Sequence, residues 1–287
     1  MRRNILMMSS ILLLAVIGVT PVRAMSDQQY MLAMANMHAV DAPTASPAAM
    51  QKPVQPVHGT DVVYATVNGK AVHGYLSVPA HAKGQMPGII VIHEWWGLND
   101  NIRRMADQLA GEGYAALAVD LYGGQSAKDP DAARKLMAGV FKDPDAAKVN
   151  LKQAYAYLHD REHAPRIGVI GWCFGGGWSL QTALLFPDQI NAAVMYYGKP
   201  VDDVKALSTL RMPLMGFFGE QDMGITVQDV QTFLKALKEA NVNAEIHEYP
   251  DAGHAFANPS GDRYRPVAAA AAWKRTLAFF ARYLKGA

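Results

Sequence analysis

Short apolar runs alternate with longer segments of helical periodicity from about residue 58 to the end of the chain. A parallel strand that is buried on both faces is typically a continuous β-branched run, as residues 88–93 are. Further strands are predicted at residues 115–119, 166–170, 192–196, 213–218 and 244–249. Helices are predicted between them at residues 99–110, 145–159, 174–186, 226–240 and 266–284. This alternation predicts an α/β fold, with a mainly parallel twisted sheet and helices on both faces.

Two strand-like segments precede the first buried run, at residues 62–67 and 71–78. Asn68 and Gly69 join them, and this dipeptide favours a two-residue turn between antiparallel strands. We therefore expect an N-terminal antiparallel hairpin at one edge of the sheet.

The first 24 residues have the three-part layout of a secretory signal. Arg2 and Arg3 form a basic start, an apolar stretch follows from Ile5 to Val19, and residues 22–24 form a small-residue cleavage site. That stretch is shorter than the roughly 20 residues of a spanning helix, so an uncleaved anchor is the less favoured alternative. We expect a periplasmic or secreted protein without a membrane anchor. The general secretory route is favoured, and the twin-arginine route is the alternative.

Residues 25–57 are rich in Ala, Met and Pro, and they lack a sustained apolar period. The sequence predicts a flexible leader here, followed by a single domain over residues 58–287. Met31, Met34 and Met37 recur at three-residue spacing before His38, and thioethers are soft ligands suited to Cu(I). A short helical stripe or an unstructured tail is the favoured interpretation, because spacing alone fixes no ligand geometry.

Composition narrows the possible functions. The 287 residues include 51% hydrophobic residues, 27 basic and 25 acidic side chains, and one cysteine. Removal of residues 1–24 would leave 24 basic and 25 acidic side chains, so a nucleic-acid partner is not expected. A single cysteine excludes an intrachain disulfide and any Cys-rich zinc or iron–sulfur site. We predict no metal and no cofactor.

Glycines flank the cysteine in Gly171-Trp172-Cys173-Phe174-Gly175, directly after a predicted strand and at the start of a predicted helix. A strained strand-to-helix turn of this form presents the nucleophile of many hydrolases, and it needs glycine where backbones approach closely. The helix start also favours the thiolate. Cys173 is therefore the candidate nucleophile. The alternatives are an inert buried cysteine and a phosphate-binding loop.

A nucleophile of this kind needs a base and a group that orients the base. Asp222 follows the strand predicted at residues 213–218, and His254 follows the strand predicted at 244–249. Both lie where open α/β sheets place their sites, at the carboxyl ends of strands. The chain order of nucleophile, acid and histidine is that of the α/β-hydrolases.

The chain resembles the dienelactone hydrolase family, a branch of the α/β-hydrolases, from about residue 60 to the C-terminus. The resemblance rests on residues 93–97 (His-Glu-Trp-Trp-Gly), residues 120–123 (Asp-Leu-Tyr-Gly), the cysteine segment, Asp222 and residues 253–256 (Gly-His-Ala-Phe). It implies the α/β-hydrolase fold and a catalytic triad of Cys173, His254 and Asp222. It also implies that Glu94 contacts the resting cysteine and that the backbone N–H groups of Trp95 and Phe174 form the oxyanion hole.

Two departures from the family pattern concern the substrate. In the family, two arginines hold the free carboxylate of the substrate, and their positions are Gly124 and Asn258 here. Arg263 and Arg265 are nearby in sequence and are possible replacements. A neutral ester or lactone is therefore at least as well suited as dienelactone. Further candidates for the substrate pocket are Tyr122, Tyr196 and Trp96, besides Asn258.

The sequence thus predicts an exported monomer that hydrolyses a small-molecule ester or lactone through a thioester on Cys173. Two alternatives belong to other classes. One is a non-catalytic binding protein on the same fold, because a fold alone does not determine function. The other is a thiol- or metal-handling protein that uses Cys173 and residues 31–38.

Overall fold

A computed structural model describes residues 25–259 and 262–286, so the predicted secretory signal lies outside the described residues. Eight strands form one sheet: β1 (Val57–Val67), β2 (Lys70–Pro79), β3 (Gly88–Ile92), β4 (Ala115–Val119), β5 (Ile167–Trp172), β6 (Ile190–Tyr196), β7 (Leu214–Gly219) and β8 (Ala244–Tyr249). Their spatial order is β1-β2-β4-β3-β5-β6-β7-β8. The strands from β4 to β8 in that order pair in parallel, which confirms the predicted parallel sheet.

The hairpin of β1 and β2 forms the antiparallel edge that Asn68-Gly69 predicts. Both turn residues have positive φ, at 49° and 73°, as a two-residue hairpin turn requires. β2 then pairs antiparallel with β4, which joins the hairpin to the parallel part of the sheet.

Helices cover both faces of the central strands. Every residue of β3, β4, β5 and β7 is buried, and successive side chains of a strand point to opposite faces. The covering helices are α3 (Asp100–Gly111), α4 (Pro130–Lys142), α5 (Pro144–Ala156), α6 (Phe174–Leu185), α7 (Val204–Leu207), α8 (Val227–Glu239) and α9 (Pro266–Phe280). α5 and α9 each continue through one wider turn, at Tyr157–Arg161 and Ala281–Lys285.

The sequence analysis missed α4, although its start carries a clear signal. The Asp129 side chain accepts a hydrogen bond from the N–H of Ala132, and Pro130 occupies the first turn. No helix in the described ranges is long and apolar enough to cross a membrane.

The leader differs most from the prediction. Residues 25–56 contain two helices that precede all those above, α1 (Asp27–Met37) and α2 (Pro47–Met50). A capping box between Ser26 and Gln29 begins α1, and the Tyr30 and Met34 side chains on its inner face are at most 1% exposed. The apolar face of α1 is narrow, so the hydrophobic periodicity of this segment is weak. Burial of that face depends on packing against distant parts of the domain.

Candidate active site

The backbone places Cys173 in a strained position between β5 and α6. Its φ of 55° and ψ of −119° lie in a region that side chains rarely adopt. A Cβ at Gly171 would lie 2.1 Å from the carbonyl oxygen of Gly175, and one at Gly175 would lie 2.4 Å from that of Ile92. Both flanking glycines are therefore sterically required, as the sequence predicts for a nucleophile turn.

Asp222 and His254 lie together in the loops that follow β7 and β8. Nδ1 of His254 is 2.7 Å from Oδ2 of Asp222, and both side chains are fully buried. The other carboxylate oxygen of Asp222 accepts hydrogen bonds from the N–H groups of Gly224 and Ile225, at 2.8 and 2.9 Å. The aspartate is thus held on both sides, and it fixes the imidazole so that Nε2 is the nitrogen left for a proton acceptor role.

The sulfur of Cys173 completes this arrangement. A ring nitrogen of His254 lies within 4.8 Å of Sγ. Burial alone would raise the pKa of the Cys173 thiol, but the charge of His254 and its hydrogen bond lower that pKa to about 5. Burial would lower the pKa of His254, but the charges of Asp222 and Cys173 raise it to about 10. Both shifts favour the form of the pair with a thiolate and an imidazolium.

Glu94 follows β3 and is buried beside this pair. Burial, with the negative charge of Cys173, raises the pKa of Glu94 to about 8, so the carboxyl group is mainly protonated at neutral pH. Asn258 donates a hydrogen bond to its Oε2. Glu94 thus interacts electrostatically with Cys173, as its predicted position implies. The hydrogen bond that the Glu94 carboxyl group accepts comes from Asn258.

The two backbone N–H groups predicted for the oxyanion hole belong to different segments of the chain, one after β3 and the other at the start of α6. Phe174 is the first residue of α6, so its N–H has no acceptor within the helix. Trp95 follows β3, and its carbonyl oxygen accepts a hydrogen bond of 3.1 Å from the Tyr122 hydroxyl. The ring of His93 stacks on that of Phe174, with centroids 5.7 Å apart. These contacts hold the backbone of Trp95 through Tyr122 and the side chain of Phe174 through His93.

The remaining pocket candidates have different surroundings. Tyr196 donates or accepts a hydrogen bond of 2.7 Å with Thr276, and its ring and Asn258 line a cavity of about 330 Å³ together with Glu94. Trp96 is only 1% exposed and packs against Trp95, with ring centroids 4.9 Å apart. The cavity next to Glu94 is therefore the candidate space for part of a substrate.

The two arginines that could replace the missing pair are committed to other groups. Arg263 donates to the carbonyl oxygens of His254 and Met37 and pairs with Asp41 of the leader. Arg265 donates to the carbonyl oxygens of loop residues, that of Asp251 among them at 2.8 Å. The positive charge of Arg263 is thus compensated by a carboxylate of this chain.

The leader covers the sulfur, which the sequence analysis did not foresee. The Tyr30 hydroxyl lies 3.9 Å from Sγ of Cys173, and Sδ of Met34 lies 3.7 Å from it. The ring of His38 lies 4.5 Å from that of Trp95 and 5.4 Å from that of His254. Cys173 is consequently only 1% exposed. The four-residue spacing of Tyr30, Met34 and His38 is the signal that could have revealed this shared face.

One strained residue beside His254 was not predicted from the sequence. Tyr197 follows β6 with a φ of 35°, and its ring lies 5.1 Å from that of His254. Its N–H donates to the carbonyl oxygen of Phe217 at 2.7 Å, which ties it to β7. The Tyr197 ring thus packs against the imidazole of His254. The only sequence signal for this contact was the position of Tyr197 directly after a predicted strand.

The sheet order, the nucleophile turn and the Cys–His–Asp geometry define an α/β-hydrolase-fold protein. The family model described as "Dienelactone hydrolase family" matches residues 72–284. The chain therefore belongs to the dienelactone hydrolase family, as the sequence resemblance implied.

Curated relatives and solved structures agree with this assignment. A "Putative carboxymethylenebutenolidase" of Aquifex aeolicus is 32% identical over 76% of this chain and 96% of its own length. A "Probable 2-oxo-3-(5-oxofuran-2-ylidene)propanoate lactonase" of Bradyrhizobium is 30% identical over 76% of this chain and 92% of its own. The crystal structure of a "Putative Dienelactone Hydrolase" from Klebsiella pneumoniae has a TM-score of 0.72 at 30% identity, covering 80% of this chain and 100% of its own.

Proposed function

We propose that this protein hydrolyses a carboxylic ester or a lactone through a thioester on Cys173. The observation that carries the proposal is the position of Sγ on a strained turn, within 4.8 Å of an imidazole whose Nδ1 is held by Asp222. The names of the two relatives, a carboxymethylenebutenolidase and a lactonase, support the same class of substrate.

The reaction follows from the charges of the resting pair. The thiolate of Cys173 attacks the carbonyl carbon, and the N–H groups of Trp95 and Phe174 bind the oxygen that becomes negative. The His254 imidazolium then gives its proton to the leaving alkoxide, which leaves a thioester on Sγ. Neutral His254 next takes a proton from water, the hydroxide attacks the thioester, and the carboxylic acid is released with the thiolate restored.

The surroundings of the site favour an uncharged substrate. Glycine and asparagine replace the two arginines of the family, and Arg263 is paired with Asp41. A substrate carboxylate would therefore enter a buried site without a free arginine fork among the residues described above, at a substantial cost in desolvation.

A paired substrate panel tests this proposal. For matched esters and lactones with and without a free carboxylate, we expect the neutral member to have a kcat/KM higher by about 10-fold or more, since an uncompensated buried charge costs more than 1.4 kcal/mol. Initial rates over a range of substrate concentrations measure this. A uniform preference for the carboxylate-bearing members would contradict the neutral assignment, and absence of turnover with all of them would contradict the hydrolase proposal.

The substrate reaches Sγ only when α1 moves. Tyr30 and Met34 occupy the space in front of the sulfur, and an ester carbonyl would need that space to approach it. We therefore infer that the enzyme is active in a state with α1 displaced, in equilibrium with the covered state.

We also propose that the protein is exported. The support is the sequence of residues 1–24, with a basic start, a short apolar stretch and a small-residue end. Cleavage after Ala24 would begin the mature chain at Met25, two residues before α1. N-terminal sequencing of the protein from its native cells tests this, and a chain that still starts at residue 1 would contradict it.

A further inference from the structure

Two histidines face the sulfur with one nitrogen each. Ring nitrogens of His38 and His254 and Sγ of Cys173 all lie within 4.8 Å of one another. Sδ of Met34 lies 3.7 Å from Sγ on the same side. The leader thus contributes an imidazole and a thioether next to the thiol and imidazole of the domain.

Both imidazoles are held by carboxylates. Nδ1 of His254 lies 2.7 Å from Oδ2 of Asp222. Nδ1 of His38 lies 2.6 Å from Oδ2 of Asp41 and 2.9 Å from a guanidinium nitrogen of Arg263, which pairs with the same carboxylate. A carboxylate on one ring nitrogen is the usual second contact of a metal-binding histidine, because it fixes the ring and leaves the other nitrogen as the ligand. The hydrolase mechanism needs one such pair, and His38 with Asp41 is the second.

The two nitrogens that face the sulfur have no hydrogen-bond partner in the described ranges other than that sulfur. They are Nε2 of His38 and Nε2 of His254, in residues that are 2% and 1% exposed. Two buried imidazole nitrogens that share one sulfur leave part of their hydrogen-bonding capacity unused, which is costly. A cation coordinated by both nitrogens and by Sγ would satisfy them.

We propose that this protein binds one Cu(I) ion through Cys173, His38 and His254, with Met34 as a weaker fourth ligand. Ligands at about 2.0 to 2.3 Å from a tetrahedral metal lie roughly 3.3 to 3.8 Å apart, so the cluster needs a contraction of about 1.5 Å at most. Two imidazoles, a thiolate and a thioether form a set typical of copper, and the thioether disfavours harder ions.

The proton balance of binding is simple. Sγ binds as the thiolate and Nε2 of His254 as the neutral base, so the proton that the pair shares is released to solvent when Cu(I) enters. The ion occupies the electron pair with which the sulfur would attack an ester. Copper binding and ester hydrolysis therefore exclude each other at this site. The proposal of a copper site does not depend on the proposal of hydrolase activity.

Anaerobic competition between the full mature chain and a colorimetric Cu(I) chelator tests the proposal. We expect one Cu(I) per chain, and an X-ray absorption spectrum that shows both sulfur and nitrogen ligands of the copper. Loss of a carboxylate that only holds a ligating histidine already costs about 10–100-fold in affinity, so His38→Ala, which removes a ligand itself, should weaken binding by at least about 100-fold. Met34→Leu keeps the volume and should weaken binding less.

Matched controls separate this site from adventitious binding. His58→Ala removes an exposed histidine, and Met31→Leu removes another methionine of α1, so both should bind Cu(I) as the unaltered chain does. Equal affinity of the His38→Ala and His58→Ala proteins would overturn the proposal, as would tighter binding of Zn(II) than of Cu(I). Ester turnover in metal-free buffer is measured separately, so failure of the copper site and failure of the hydrolase proposal give different results.

Discussion

Cys173→Ala is expected to lower ester turnover by on the order of 10⁴-fold or more, because it removes the atom that forms the covalent intermediate. Rates with p-nitrophenyl acetate measure the loss. Acid quenching during turnover should trap an acetyl thioester on the cysteine-containing peptide of the unaltered chain, as mass spectrometry would show. Small residual catalysis from the oxyanion hole is compatible with this mechanism.

The same pair of proteins reports the ionisation of the sulfur. Thiolate absorbance in the far ultraviolet, taken as the difference between the unaltered chain and Cys173→Ala, should persist at neutral pH and disappear as the pH falls through about 5. The pKa of Cys173 is lowered on folding, so its contribution to stability is complete above the ordinary thiol pKa of 9.0 and is lost progressively as the pH falls from there to about 5. Turnover retained in Cys173→Ala, or a thiol that ionises only above neutral pH, would contradict the proposed mechanism.

Replacing both Tyr30 and Met34 with alanine is expected to raise kcat/KM by on the order of 100-fold. Burial of these two side chains contributes about 3 kcal/mol to the covered state, and apparent affinity scales with the fraction of molecules that can bind substrate. Alanine keeps the helix propensity of α1. Steady-state kinetics with a small neutral ester measure the change.

The matched control is Leu32→Ala on the same helix. This side chain is 63% exposed, so its truncation should leave kcat/KM unchanged. Circular dichroism and thermal unfolding of the double variant establish that the domain remains folded. A fall in kcat/KM of the double variant, with the fold intact, would mean that Tyr30 or Met34 helps to bind the substrate instead of excluding it.

Sequence reasoning succeeded where the structure is specified locally. The turn at Cys173 depends on Gly171 and Gly175, which are two residues away on either side, and the ends of β7 and β8 place Asp222 and His254. Apolar runs of five or six residues fix those strands almost without reference to the rest of the chain.

The contacts that the sequence did not predict join segments that are distant in the chain. Tyr30 packs edge-on against Phe141, which lies in the unpredicted helix α4, and Asn258, in the segment after β8, donates a hydrogen bond to Glu94, which follows β3. The leader has weak periodicity and several prolines, so local propensity favours an unstructured chain, and tertiary packing decides otherwise. Pattern alone could not show that His38 would lie beside the nucleophile.

The cover over Cys173 has a consequence for the chemical survival of the sulfur. A thiolate is the form that peroxides oxidise to sulfenic acid, so an exposed low-pKa cysteine is damaged most readily. The surface that α1 covers is built from parts of the domain that are distant in the chain, with Phe141 of α4, Cys173 and Arg263 among the residues that contact it. Docking then shields the thiolate from oxidants for as long as no substrate displaces the helix.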